Sequence, residues 1–155
     1  MLFTSPFLNR ELMRMLVHNG KQIYERWVQA WNQDISVLDD ITSPDCTVHQ
    51  ARLDQQNSER QKGAEALKDM IGSGCAFFDD VKMSIETGPI EEGNYVSARW
   101  RFTGTYNGTM PGAQAKAGKV IAFQGMDIFF LEDGKIKDYW VSSDGVHFMQ
   151  QMGML

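Results

Sequence analysis

The chain has 155 residues and a net charge of −5, with 43% hydrophobic and 23% charged residues. This composition is typical of one soluble globular domain that can bury a substantial core. The acidic balance argues against nucleic acid or an anionic membrane as a partner, and no apolar run is long enough to span a bilayer.

The first ten residues lack the basic segment and apolar run of a signal peptide, so we expect no export. Without export, Cys46 and Cys75 favour reduced thiols in a cytoplasmic protein over a disulfide. The sequence contains no zinc-binding spacing, no nucleophile elbow and no glycine-rich phosphate loop. These motifs therefore favour neither a metal site nor nucleophilic catalysis.

The N-terminal part predicts a helix from about Asn9 to Asn32, interrupted near Asn19 and Gly20, where helix-breaking residues meet. Its second half carries an amphipathic stripe of Ile23, Trp27, Ala30 and Trp31. Core packing is favoured over ligand contact for the two tryptophans of this stripe. Tyr24 lies beside the stripe and could place its hydroxyl group in a cavity.

The middle of the chain predicts short elements followed by a long strand. They are a helix over Ile35–Ile41, a strand over Asp45–Ala51, an exposed loop over 52–62, a helix over Gly63–Ile71 that ends at 72–74, and a strand over Asp80–Thr87. After a turn at 91–94, the long strand covers Tyr95–Tyr106. Its alternation places on one face Val96, Ala98, Trp100, Phe102, Gly104 and Tyr106.

The stretch Gly118–Asp144 predicts a long β-hairpin, because Asp133-Gly134 lies between two alternating apolar runs. One row of its first strand consists of Ile121, Phe123, Gly125, Asp127, Phe129 and Leu131. The other row is also mostly apolar, so both faces of this strand are expected to be covered. A carboxylate at Asp127 is costly there unless it is hydrogen-bonded, paired, protonated or used in chemistry.

A final helix is predicted over Gly145–Met152, and Asp144 can cap its N-terminus. Helices followed by four long consecutive strands indicate an α+β fold, with helices packed on one face of a strongly bent, mostly antiparallel sheet. A sheet with two apolar faces and helices on one side leaves its other face for a cavity or a subunit interface.

Several short motifs follow one another in a set order. They are Tyr24-Glu25 through Trp31-Asn32, Ser43-Pro44-Asp45 with Val48-His49, Gly104 to Gly108, Gly125 to Phe129, Asp133 to Ile136, Tyr139-Trp140, Asp144, and Gln150 to Gly153. In this order the chain resembles the SnoaL-like polyketide cyclase family, within the cone-shaped, cystatin-like superfamily named after nuclear transport factor two. The resemblance starts near residue 20, so we expect one domain over 20–155 and an N-terminal extension over 1–19.

The resemblance implies a pocket inside a curved sheet, covered by the helices, often in a homodimer and used without a cofactor. In members with known chemistry, an aspartate that matches Asp127 is the acid–base group of an intramolecular aldol ring closure. A histidine on the neighbouring strand assists it, and Tyr106 stands at that position here. The loop that follows also departs from the family pattern, at 115–119. These departures concern the reaction and not the fold.

The surroundings of Asp127 depend on the register of the hairpin. A tight turn sets Asp127 across from Trp140 on the same face, whereas a one-residue bulge would replace Trp140 by Tyr139 or Val141. Apolar surroundings are expected to raise the pKa of the carboxyl group, which suits a base that works near neutrality. The structural alternative is a buried anchor that is hydrogen-bonded to Tyr106 or to a helix.

Two further residues are candidates for catalysis beside Asp127. His49 matches a histidine that the family often turns toward the pocket, although a role at the rim explains it equally well. Tyr106 could orient Asp127 or donate to a substrate carbonyl, and packing explains it about as well. Asp144 is better explained as a helix cap than as a catalyst. The candidate substrate-binding residues are Tyr24, Trp27, Trp100, Phe123, Phe129, Trp140 and Asp144.

The leading hypothesis is a cofactor-independent enzyme that acts on a small hydrophobic carbonyl compound. Asp127 would remove a proton next to the carbonyl, and Tyr106 or His49 would stabilise the oxyanion or return the proton. The outcome would be that of a cyclase, an isomerase or a dehydratase. The rival is a non-catalytic protein of the same fold that binds an apolar ligand or a partner, which ten adaptable methionine side chains would suit.

Overall fold

The computed structural model of the chain describes residues 19–51 and 57–155, except for the side chain of Ser58. Its elements are α1 (Gly20–Asn32), α2 (Val37–Ile41), β1 (Thr42–His49), a 3₁₀ helix (Ser58–Arg60), α3 (Gly63–Cys75), β2 (Phe78–Glu92), β3 (Tyr95–Tyr106), β4 (Val120–Glu132), β5 (Lys135–Ser143) and α4 (Gly145–Gln151). None of the described helices is long and apolar enough to cross a membrane.

The five strands form one open sheet in the order β1-β5-β4-β3-β2. β1 runs parallel to β5, and every other neighbouring pair is antiparallel. The side chains of α1, α2 and α3 pack with the inner rows of the sheet in a shared core. The architecture is the α+β fold that the element order predicts.

Helix α1 begins at Gly20, where Asn19 and Gln22 form a capping box. The Asn19 side chain accepts from the Gln22 main-chain N–H at 2.9 Å, and the Gln22 side chain accepts from the Asn19 N–H at 3.1 Å. The signal at Asn19-Gly20 therefore marks the start of a helix. The rest of the predicted helix, 9–18, lies outside the described residues.

The apolar interior consists of two adjoining clusters on the same inner face of the sheet. The first joins the helices to the middle of β4 and β5 and includes Tyr24, Trp27 and Phe129. The second lies toward the other end of β3 and β4 and includes Trp100 and Tyr106. Trp31 and Val141 pack against both clusters, so the two clusters meet at these side chains.

The hairpin of β4 and β5 contains an irregularity that decides which residues point inward. Leu131 pairs with Ile136, but Phe130 pairs with Asp138, so Lys137 is the extra residue of a bulge. Asp127 consequently pairs with Val141 and Ile128 with Trp140. The tight register, with Asp127 across from Trp140, is wrong, and the bulged alternative is confirmed.

The two faces of β4 differ more than its two apolar rows predict. The inner row with Ile121, Asp127 and Phe129 is buried, whereas Val120, Met126 and Ile128 of the outer row are exposed. For the chain on its own, the expectation that both faces of β4 are covered is therefore wrong. An apolar sheet face is left open to solvent.

Most element boundaries differ from the sequence prediction by a few residues. Helix α3 continues through Gly72–Gly74 to Cys75, since Gly74 fits against the ring of Trp31 and packing outweighs low helix propensity. Strand β1 begins at Thr42 instead of Asp45, and β2 runs well beyond Asp80–Thr87 at both ends. Strand β3 has the predicted bounds.

Candidate active site

The carboxyl group of Asp127 lies in the apolar interior, where only 2% of the residue is exposed. The Tyr24 hydroxyl donates to Oδ1 at 2.6 Å, and the Tyr139 hydroxyl donates to Oδ2 at 3.3 Å. Each carboxyl oxygen therefore has its own donor, as a buried carboxylate requires. The short bond from Tyr24 is the stronger of the two on distance alone.

Three separate elements bring these groups together. Asp127 is in the middle of β4, Tyr139 is on β5, and Tyr24 is on α1, which packs over the inner face of the sheet. The bulge at Lys137 is what turns Tyr139 inward, since without it the side chains of β5 beyond the bulge would exchange faces. The site thus depends on the hairpin irregularity as much as on the residue types.

Burial dominates the electrostatics of the site. It raises the pKa of Asp127 to about 7, although the hydrogen bonds from Tyr24 and Tyr139 act in the opposite direction. The indole N–H of Trp27 also favours the charged carboxylate, without reaching hydrogen-bonding geometry. Burial, followed by the charge of Asp127, raises the pKa of both tyrosines well above the ordinary value, so they stay protonated donors.

Aromatic rings enclose this carboxyl group. Phe129 stacks on Tyr24 with ring centroids 5.4 Å apart, and it lies 5.3 Å from Tyr139. Trp27 lies 5.0 Å from the ring of Tyr139. Such surroundings disfavour a charge and leave a carboxyl group that takes up and releases a proton near neutral pH.

Trp100 occupies the inner face beside this site. It pairs with Gly125, which is two residues before Asp127 on the same row of β4. Its ring lies where a side chain of Gly125 would be, since a methyl group added there would overlap the indole. Trp100 is buried, and its indole N–H has no hydrogen-bond partner among the described residues.

The family model for SnoaL-like polyketide cyclase matches residues 21–152. The chain belongs to the SnoaL-like polyketide cyclase family. This agrees with the resemblance drawn from the sequence motifs. No curated protein matches the chain significantly in sequence.

Solved structures with this SnoaL-like fold are similar over most of the chain. TsrD from Streptomyces laurentii is 24% identical with a TM-score of 0.71, covering 86% of this chain and 94% of its own. Wild-type IdmH from Streptomyces antibioticus is 20% identical with a TM-score of 0.74, covering 88% and 99%. A SnoaL-like polyketide cyclase from Agrobacterium tumefaciens is 19% identical with a TM-score of 0.66, covering 85% and 96%. At these identities the likeness shows the shared fold alone.

In this SnoaL-like chain, Tyr106 does not reach Asp127. Asp127 pairs with Ala98, which is eight residues before Tyr106 on β3, or roughly 26 Å along the strand. The Tyr106 hydroxyl instead accepts from the main-chain N–H of Met110 at 2.9 Å and donates to its carbonyl at 3.4 Å. The residue anchors the loop after β3. The expectation that it orients Asp127 is wrong, and the hydrogen bond to Asp127 comes from a helix instead, through Tyr24.

His49 lies on the outer face of the sheet, away from Asp127. Its ring stacks on Trp140 at 4.9 Å, and its two nitrogens bond to Glu59 at 3.0 Å and Asp138 at 2.9 Å. Carboxylates only accept, so these two bonds favour the protonated ring, in which both nitrogens donate. Partial burial lowers the pKa of His49, but the bonds to Asp138 and Glu59 outweigh it and raise the pKa above the ordinary value.

The remaining candidate residues fall into three groups. Tyr24, Trp27 and Phe129 surround Asp127, and Trp100 lies beside it. Phe123 belongs to the second cluster, 5.0 Å from Phe102. Trp140 is partly exposed on the outer face, and Asp144 caps α4 by accepting from the His147 N–H at 3.2 Å.

Tyr139 is the site residue that sequence reasoning did not select. In the predicted register with a tight turn at Asp133-Gly134, Tyr139 lies on the outer face. Only the bulged alternative brings it next to Asp127. Its pairing with Phe129 shows the inward orientation. Within residues 19–51 and 57–155, no three His, Cys, Asp or Glu side chains are grouped to hold a metal ion.

Proposed function

We propose that the chain is a cofactor-independent acid–base enzyme of the cyclase type, acting on a small hydrophobic carbonyl compound. The observation that carries this proposal is Asp127, a buried carboxyl group with two tyrosine donors and a pKa near 7. Such a group is present in both protonation states near neutrality, as general acid–base catalysis requires.

The proposed reaction needs only proton transfers and one new carbon–carbon bond. The Asp127 carboxylate takes a proton from the carbon next to a carbonyl, and the electron pair moves into an enolate. The enolate carbon attacks a second carbonyl of the same molecule, and the resulting alkoxide takes the proton back. Tyr24 and Tyr139 hold the carboxylate in one orientation throughout, the part first assigned to Tyr106.

The aromatic enclosure accounts for the substrate class. The rings of Trp27, Phe129 and Tyr139 offer an apolar wall, and the charged form of Asp127 is disfavoured among them. Because 2% of Asp127 is exposed, a substrate reaches it only after covering side chains change their rotamers. We expect this closed arrangement to exclude water from the enolate.

Hydrogen–deuterium exchange tests the proposal without knowledge of the natural substrate. We expect the protein to speed exchange of the α-protons of model β-dicarbonyl compounds in D₂O, measured by NMR, with an inflection near pH 7. Asp127→Asn should abolish the acceleration, and Asp69→Asn, an exposed carboxylate on α3, should keep it. Acceleration that survives in Asp127→Asn would overturn the proposal.

One observation favours the second candidate, a binding protein of the same fold. Both oxygens of Asp127 already accept hydrogen bonds from the protein, as a structural anchor would. In that case the wild type would not catalyse exchange, and Asp127→Asn would lower the free energy of unfolding. The exchange experiment therefore separates the two candidates.

We also propose a homodimer that forms through the outer face of the sheet. Ile90, Ser97, Ile128 and Trp140 lie opposite one another across β2 to β5, in a shallow groove that also contains Glu92 and Tyr95. A contiguous exposed apolar face of this kind marks an interaction site, and a second copy would cover it with an identical face. The groove is not the site around Asp127.

Sedimentation tests the homodimer directly. We expect the wild type to sediment as a dimer and Ile128→Glu as a monomer. Val146→Glu is the matched control, because Val146 is exposed on α4 and not on the outer face. A monomeric wild type at micromolar concentration would contradict this arrangement.

Both thiols support the expected cytoplasmic location. Cys46 and Cys75 are free, and burial raises the pKa of each thiol above its ordinary value. Thiols held protonated are slow to form disulfides. We expect both cysteines to react with a thiol reagent when protein from its native cells is denatured, and a cross-linked pair would count against this location.

A further inference from the structure

Three buried indole groups in the described part of the chain lack a hydrogen-bond partner: Trp27, Trp31 and Trp100. A buried tryptophan N–H normally finds an acceptor, so each orphan needs an explanation. The Trp27 N–H acts on the Asp127 carboxylate. The Trp31 N–H belongs to a ring on α1 that packs against Gly74 of α3. Trp100, with 5% of the residue exposed, is the orphan on the inner face of the sheet, paired with Gly125 on the same row of β4 as Asp127.

We propose that the indole N–H of Trp100 donates to the substrate oxygen that becomes negative when Asp127 removes the neighbouring proton. This inference rests on the proposed function, and it assigns the oxyanion role first expected of Tyr106 or His49. Neither of those residues is available, since Tyr106 bonds to Met110 and His49 is on the outer face.

The spacing of the strands fits both contacts at once. Trp100 covers Gly125, and Gly125 is two residues from Asp127, or about 7 Å along one face of β4. A carbonyl group needs a donor about 3 Å from its oxygen and a base within about 3 Å of the α-proton. The backbone positions that carry the indole and the carboxyl group are therefore close enough for one small ketone to contact both side chains.

The two hydroxyl donors near Asp127 are already in use, and the Trp27 N–H acts on the carboxyl group itself. The hydroxyls of Tyr24 and Tyr139 both donate to the carboxyl oxygens. An indole N–H is a donor only and keeps its proton throughout, so it stabilises negative charge without competing for the base. In a buried, apolar interior, one such donor has a large effect on the barrier.

Trp100→Phe removes the N–H and keeps a ring over Gly125, and Trp31→Phe makes the same change in a ring on α1 that packs against Gly74. In the exchange assay we expect Trp100→Phe to lower kcat by about 10- to 1000-fold and Trp31→Phe to leave it unchanged. If Asp127→Asn is inactive but Trp100→Phe matches Trp31→Phe, this inference fails while the proposed function stands. If Asp127→Asn is active, the proposed function itself fails.

NMR of the wild type provides a second readout that does not depend on how well Trp100→Phe folds. The probe is 4-nitrophenol, whose phenolate oxygen mimics an enolate, titrated into ¹⁵N-labelled protein. We expect the indole resonance of Trp100, assigned in the wild type through its contact with the ring of Phe123, to move downfield while that of Trp31 stays in place. An unmoved Trp100 resonance at millimolar probe would overturn the inference.

Discussion

Replacement of Asp127 by asparagine removes the buried group that makes folding sensitive to pH. Burial raises the pKa of Asp127 to about 7 in the folded chain, against an ordinary value of 3.8. Between these two values the folded chain keeps a proton that the unfolded chain releases. The free energy of unfolding therefore falls as the pH rises through this window.

The size of the effect follows from the same values. Each pH unit inside the window lowers the free energy of unfolding by about 1.4 kcal/mol. The total loss between pH 5 and neutrality is therefore roughly 3 kcal/mol. Above the folded pKa no further loss accumulates. Asparagine resembles the protonated acid and does not titrate, so the difference between wild type and Asp127→Asn isolates this contribution from the other titrating groups.

Urea denaturation at a series of pH values from 5 to 8 measures this difference. We expect the wild type to lose about 3 kcal/mol relative to Asp127→Asn over the range. Asp69→Asn, on the exposed side of α3, should follow the wild type at every pH. A difference that stays constant with pH, or one that grows in favour of the wild type, would refute the reasoning about burial.

Three further outcomes follow from individual contacts. Tyr24→Phe should raise the pKa of the buried carboxyl group, measured by ¹³C NMR, more than Tyr139→Phe, because the lost bonds are 2.6 and 3.3 Å long; an equal rise would contradict this order. Gly125→Ala should cost about 1–3 kcal/mol in urea denaturation through overlap with Trp100, and Trp100→Phe should relieve part of it. His49→Gln should lower the free energy of unfolding by about 1 kcal/mol or less below pH 6.5. The two proteins should be equally stable once the pH has passed the raised pKa of the imidazole, and a difference that persists at pH 9 would argue against the ion pairs of His49.

The fold was predictable because its signals are local. Alternation gave the bounds and the buried face of β3, and Asp133-Gly134 gave the β4–β5 turn. The capping residues Asn19 and Asp144 each precede the first residue of a helix. Each of these patterns depends on a few neighbouring residues, which a sequence displays directly.

The site was only partly predictable because it depends on pairing between distant strands. Asp127 stood out as one carboxylate in an apolar row, but Tyr139 and Trp140 are both large aromatic residues that suit either face. Only the bulge at Lys137 decides between them. Tyr106 shares the inner face with Asp127, yet the β3–β4 register places Ala98, and not Tyr106, opposite Asp127.

The pairing of β1 with β5 has a consequence for synthesis on the ribosome. The bond from Tyr24 to Asp127 joins residues 103 positions apart, and β1 pairs with β5 at residues 136–140. Contacts this distant in sequence form late, since the intervening chain must first be made and its ends brought together. The apolar side of α1 therefore stays uncovered through most of translation. The acid–base site is among the last parts of the molecule to form.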